Sequence, residues 1–204
     1  MTIRLHRGDL PDDFESGASV AIDTETLGLN PQRDRLCLVQ ISTGDGSADL
    51  VKIELGQTRA PNLEKVLRDR SVLKLFHFAR FDVAALYKAF GVMTEPVYCT
   101  KIASKLVRTY TDRHGLKELA RELLGVEVSK QQQSSDWGAD ELSEAQLAYA
   151  SSDVLYLHAM KAKLDAMLAR EGRSAFADAC FAFVPVRAAL DLAGWADNDI
   201  FAHA

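Results

Sequence analysis

Cysteine is scarce in this chain. The three present, Cys37, Cys99 and Cys180, cannot all pair within one molecule. Their spacing fits neither a disulfide framework nor a zinc site, so a reducing compartment, the cytoplasm, is expected. Long apolar runs are missing as well, and no stretch approaches the ~18 residues of a membrane span. The opening MTIRLHRGDLPDD lacks the apolar segment of a secretory leader. Positive charge is not in excess: 24 Lys and Arg face 29 Asp and Glu, a net of -5. That balance argues against a protein that coats nucleic acid. It leaves room for a carboxylate-rich metal site, which stays negative until divalent ions arrive.

What is present is ordinary for a globular chain. Apolar residues make up 48% and charged ones 26% of 204 residues, which fits one domain over 1–204. Short apolar runs at 19–23, 35–42, 48–53 and 71–78 read as strands. The first two flank TLGLNPQRD, whose Gly, Asn and Pro mark a turn, so part of the sheet is expected to be antiparallel. Leu63, Val66 and Leu67 lie at helical spacing over 61–70, and a second helix is expected over 79–90, ending before Gly91. Later, Leu116, Leu119, Ala120, Leu123 and Leu124 repeat on one helical face, which Gly125 ends. Ser143 with Gln146 has the capping-box pattern and opens a helix expected to run to about 170. Strands first and helices after is an α/β or α+β pattern.

Basic charge collects between Lys101 and Lys130, with seven Lys or Arg against four Asp or Glu. Lys101, Lys105 and Arg108 share one helical face, which reads either as a solvated surface or as a phosphate contact.

Three acidic motifs stand out. Asp23 and Glu25 sit two apart at the end of a predicted strand, so they share a face at the rim of a core. Two such carboxylates repel and lose hydration unless a hard cation neutralises them. Asp82 lies in LFHFARFDVAAL, an apolar setting that a carboxylate tolerates only when paired or ligating. Tyr149 and Asp153, at i and i+4, bring a phenol and a carboxylate to one spot. Each has a plainer reading alone: a turn and cap, an ion pair with Arg80, a helix hydrogen bond.

Together, in this order, they resemble the DEDD superfamily of 3′-to-5′ exonucleases. The match is to the RNase D-like branch whose third motif is Tyr-x-x-x-Asp. QQQSSDW ahead of the third motif is similar too, and DTETLGL, CTKIASKLVRTYTDRHGLKE and the terminal GW…DIFAH resemble the compact nano-RNase family. The likeness covers nearly the whole chain. One departure is Phe78, where many superfamily members carry Asn.

The resemblance implies an α/β, RNase H-like (DnaQ-like exonuclease) fold: a mixed five-stranded sheet with one antiparallel strand, flanked by helices. It also implies a single exonuclease domain without an added C-terminal RNA-binding module. The implied reaction is two-metal phosphodiester hydrolysis with Mg²⁺ or Mn²⁺, which suits oxygen ligands. Asp23, Glu25, Asp82 and Asp153 would hold the ions, and Tyr149 would orient the attacking water. Leu27 would wedge against a base, with Thr24 counted among the substrate contacts. His77 and Tyr110 would stack on or bond to the nucleotide, or else serve the fold. Arg108, with Lys101 or Lys105, would meet a 5′ phosphate, since guanidinium binds phosphate in a bidentate way. Gln132, Gln133 and Ser134 would donate to phosphate or simply cap. The implied substrate is a diribonucleotide or other very short RNA, with DNA ends or structured RNA 3′ ends as alternatives. The implied assembly is a homo-oligomeric ring, an octamer.

Overall fold

A computed structural model describes residues 2–129, 131–132 and 134–203. Six strands form one sheet: β1 (Thr2–Arg7), β2 (Ser19–Thr26), β3 (Leu36–Ser42), β4 (Ser47–Lys52), β5 (Leu73–Phe76) and β6 (Val97–Cys99). Their order across the sheet is β1-β4-β3-β2-β5-β6. β1 runs parallel to β4, and β2, β5 and β6 run parallel to one another. β3 is antiparallel to both β2 and β4, so it is the single reversed strand.

The resemblance implied five strands; the sheet has six, and the two that the apolar runs did not mark, β1 and β6, are its edges. β1 (TIRLHR) alternates without a clear apolar face, and much of it is exposed. Its place is fixed by Asp49 of β4, which accepts from Arg4 Nε at 2.7 Å and contacts His6 Nε2 at 2.7 Å. The opposite edge, β6, has only three residues. The central strands β3 and β4 are buried along their whole length, β3 as a largely apolar run and β4 with Asp49 and Lys52 buried among its apolar residues.

Helices cover the sheet: α1 (Pro61–Arg68), α2 (Ala79–Phe90), α3 (Thr100–Val107), α4 (Leu116–Leu119), α5 (Glu144–Leu155), α6 (Leu157–Arg170) and α7 (Ser174–Leu190). α2 packs on β2, β3, β5 and β6, while α5 packs on β1–β4. α2 ends where Gly91 takes a left-handed φ of 67° and donates to Tyr87 O at 2.8 Å.

Two expected helices differ. The helix over 116–124 is α-helical only to Leu119 and widens to a π turn over Ala120–Leu124 before Gly125 ends it. The helix from Ser143 opens with both bonds of its capping box. It then breaks at Tyr156 (φ -103°, ψ -6°) instead of running through to 170. Ser151 and Ser152 bond back to the carbonyls of Ala148 and Tyr149, a pattern that bends helices. Among the described residues, no helix is long and apolar enough to cross a membrane.

Candidate active site

β2 carries the first two carboxylates because its residues alternate. Val20, Ala21 and Ile22 anchor the strand in the core, and Asp23 and Glu25 emerge on one face where the core ends. The register with β3 slips between Glu25 and Thr26. Such a bulge twists the strand and re-aims the residues beyond it, here Leu27 and Gly28.

α5 brings in the third segment. Carboxylate oxygens of Asp23, Glu25 and Asp153 all lie within 4.8 Å of one another. α2 contributes Asp82, 3% exposed, whose Oδ1 accepts from Thr24 Oγ1 at 2.7 Å. Tyr149 lies one turn before Asp153 on α5, and each shifts the other's titration. The phenol ring rests on buried Trp137, with centroids 6.0 Å apart.

The electrostatics are those of an uncompensated cluster. Burial, then the charges of Asp82, Asp153 and Glu25, hold Asp23 well above the usual carboxylate range. Burial, then the charges of Asp153 and Asp82, push Glu25 up to about 9. Burial first and Asp82 second raise Asp153 to about 7. Burial raises Asp82 to about 7, against the opposing pull of the Thr24 hydrogen bond. Among the described residues, the charges that raise Asp23 and Glu25 are other carboxylates. Such a set requires shared protons or cations, and an all-oxygen donor set fits Mg²⁺ or Mn²⁺. Burial also raises the Tyr149 phenol, with Asp153, Glu25 and Asp23 adding to it, so the phenol stays protonated.

The cluster lines a groove of about 640 Å³. Of the sequence candidates, the groove gathers Asp23, Thr24, Glu25, Leu27, His77, Asp82, Ser134, Tyr149 and Asp153. His77 Nδ1 lies 2.9 Å from Thr100 Oγ1. Four candidates fall elsewhere, and Gln133 lies outside the described residues. Gln132 accepts from Ser135 Oγ at 2.6 Å. Lys105 borders a neighbouring apolar cavity. Arg108 is fully buried and committed to the fold: Nε donates to Glu122 at 3.1 Å and Nη1 to Arg113 O at 2.7 Å. Tyr110 is exposed and donates to the same Glu122.

The groove also holds residues that the sequence did not single out. Lys117 reaches it from the start of α4, and Leu29 from the loop after β2. Gln40 sits directly across from Asp23 in the β2–β3 register, fully buried, and its amide makes no hydrogen bond among the described residues. A glutamine inside RLCLVQIS was the only signal for it.

A mixed sheet with one reversed strand and acidic groups from three chain segments meeting at its rim defines a DnaQ-like exonuclease fold. The chain belongs to the 3′-5′ exonuclease family, whose profile matches residues 9–169. The ribonuclease D of Gluconacetobacter diazotrophicus is 36% identical over 154 residues, 76% of this chain and 39% of that protein. DNA polymerase I of Aquifex aeolicus is 36% identical over 76% of this chain and 25% of its own length. The chain thus spans about two fifths of the ribonuclease D relatives it matches. Among solved structures, Brucella melitensis NrnC with bound Mg²⁺ superposes with a TM-score of 0.97 at 64% identity, covering all of both chains. The same protein bound to pGG gives 0.98 at 65%, also over both full chains. Escherichia coli RNase D gives 0.75 at 28%, covering 84% of this chain and 45% of its own.

Proposed function

We propose that this protein is a metal-dependent 3′-5′ exoribonuclease that hydrolyses diribonucleotides and other very short RNA to 5′-mononucleotides. The observation that carries this reading is the meeting of Asp23, Glu25 and Asp153 within 4.8 Å, where the carboxylates raise one another's affinity for protons. A relative 65% identical over its full length has been seen with bound pGG, which supports the short substrate.

Asp23, Glu25 and Asp153 would hold one divalent ion, and Asp82 with Asp23 a second. When bound, such ions neutralise charge on the phosphate and make water a better nucleophile at neutral pH. Burial favours the protonated phenol of Tyr149, which suits a group that positions water rather than one that takes its proton. The phenol would orient water through its hydroxyl, with its ring seated against Trp137. Leu27, half exposed at the groove edge, offers an apolar wedge for a base, and His77 and Ser134 offer polar contacts.

The proposal extends to a single domain over 1–204, a cytoplasmic location and a ring-shaped homo-oligomer, an octamer. Phe176, Val186, Trp195, Ile200 and Phe201 leave much apolar surface exposed at the C-terminal end, which supports association. Sedimentation as a monomer at micromolar concentration would remove the ring.

The deciding experiment is a length series of 5′-labelled RNAs with Mg²⁺, with EDTA and 2′-deoxy arms. The expected result is a rate that drops sharply beyond two or three nucleotides and vanishes in EDTA. Equal rates on long 3′ tails would favour ribonuclease D-like processing, and equal rates on the deoxy series a DNA exonuclease. The Asp23→Ala protein is expected to fold normally and to release no nucleotide.

A further inference from the structure

Phe78, between β5 and α2, is the one non-glycine residue with positive φ among the described residues (φ 72°, ψ 42°). A bulky side chain is disfavoured there, because its Cβ crowds the following carbonyl oxygen; Gly and Asn adopt the region more readily. Neither a cap nor full burial compensates. The side chain caps no helix amide, and the residue stays 44% exposed, so core packing does not account for it. A strained backbone around an exposed aromatic is what a functional site tolerates.

Its surroundings point to the ligand. Phe78 lines the catalytic groove beside His77 and four residues before Asp82. It also lines the neighbouring cavity of about 450 Å³, together with Ile102, Phe183 and Val184, so the residue stands at the boundary of the two spaces. Lys101 borders both as well, its Nζ 4.3 Å from the Phe78 ring centroid. An accessible aromatic with a cation beside it, at the rim of a nuclease groove, is a stacking platform.

We infer that Phe78 is a substrate-binding residue that sets nucleotide affinity: a nucleobase of the bound RNA stacks on its exposed ring. The inference rests on the exonuclease reading above and extends it to a residue outside the acidic motifs.

The test measures kcat and KM on a 5′-labelled diribonucleotide with Mg²⁺ for the wild type, Phe78→Tyr, Phe78→Leu and Phe78→Asn, with melting temperatures alongside. Loss of one base–aromatic stack corresponds to about 5- to 150-fold in affinity. The Tyr variant is expected within about twofold of wild-type KM. Leu and Asn are expected to raise KM about tenfold or more, with kcat held within about threefold. Asn is also expected to melt no lower than wild type, because it relieves the backbone. A Leu variant with wild-type KM, a loss confined to kcat, or an Asn variant melting more than about 5 °C lower would each overturn the inference, the last by showing a structural role. A wild-type protein that releases no nucleotide overturns the exonuclease reading itself, which separates the two failures.

Discussion

Thr24 Oγ1 donates to Asp82 Oδ1 at 2.7 Å, joining the acidic strand to a helix 58 residues further along the chain. Asp23 and Glu25 leave one side of β2, and Thr24 between them leaves the other, where it meets α2. That bond favours the ionised form of Asp82 and sets where its carboxylate lies. Thr24→Val keeps the shape and removes the donor. A buried acceptor losing its partner costs about 1–3 kcal/mol. The fold is expected to survive, while kcat falls about tenfold and the Mg²⁺ needed for half-maximal rate rises. A magnesium titration of wild type and variant checks this; identical curves would show that Thr24 does not position Asp82.

The acidic cluster makes stability depend on pH in a known direction. Folding raises Asp82 and Asp153 to about 7 and Glu25 to about 9, mainly through burial. Each folded value lies above the unfolded one, so the folded state prefers the protonated groups. Their contribution is complete below about pH 4 and is lost as pH rises through 7 and then 9. Cations reverse this by holding the ionised forms. The melting temperature is expected to rise with Mn²⁺ or Mg²⁺, and more at about pH 8.5 than at about pH 5.5. Asp23→Asn with Glu25→Gln should flatten the ion effect at both values. An ion effect equal at both pH values, or one that survives the double substitution, places the cations elsewhere.

The acidic residues were legible in the sequence because their constraints are local. Asp-x-Glu on a strand and Tyr-x-x-x-Asp on a helix each share a face by backbone period alone. Their meeting with Asp82 was not local, and came from resemblance. Arg108 was not legible for the same reason. Arg108 shares a helical face with Lys101 and Lys105, yet Glu122, in the π turn after α4, claims its guanidinium. No short-range pattern announces a partner 14 residues away. β1 escaped notice because edge strands need no continuous apolar run.

Asp191, at the end of α7, is a buried junction for the C-terminal segment. It accepts from Arg80 Nη2 at 2.8 Å and from Arg187 Nε at 2.8 Å. Arg80 also donates to Ala196 O at 2.6 Å, and Gln32 in the loop after β2 donates to Leu192 O at 3.1 Å. The segment beyond α7 is thereby tied to the helix that carries Asp82 and to the loop beyond Leu27. Asp191→Asn leaves two guanidinium groups sharing a neutral amide. Arg80 is partly open to water, so the cost is on the order of 2–3 kcal/mol, below that of a fully buried pair. A fall of about 5–10 °C in melting temperature is expected, with earlier proteolysis in the C-terminal segment than in the sheet. Unchanged melting and cleavage would show that the segment is held by its apolar contacts alone.

Lys52 holds the other wall of the groove. Its ammonium is buried and donates to the carbonyls of Ala139 and Asp140, just past Trp137 in the loop ahead of α5. Gln146 of the capping box reaches the same loop, donating to Asp136 O at 3.2 Å. These anchors seat Trp137 under Tyr149 and bring Ser134 and Ser135 to the groove. Lys52→Met keeps the apolar stem, leaves the Ala139 carbonyl without this donor and leaves Asp140 O with the long bond from Arg7 Nη2 at 3.4 Å. The acidic cluster itself is untouched, so ion binding should persist with its affinity within about twofold. The rate should fall about tenfold, because Tyr149 loses the support that aims its hydroxyl. Tryptophan fluorescence gives an independent readout: a freed Trp137 shifts to the red, since only Trp195 shares the signal and it is already half exposed. A Met variant with wild-type rate and an unshifted spectrum would mean that the loop is seated by Trp137 packing alone.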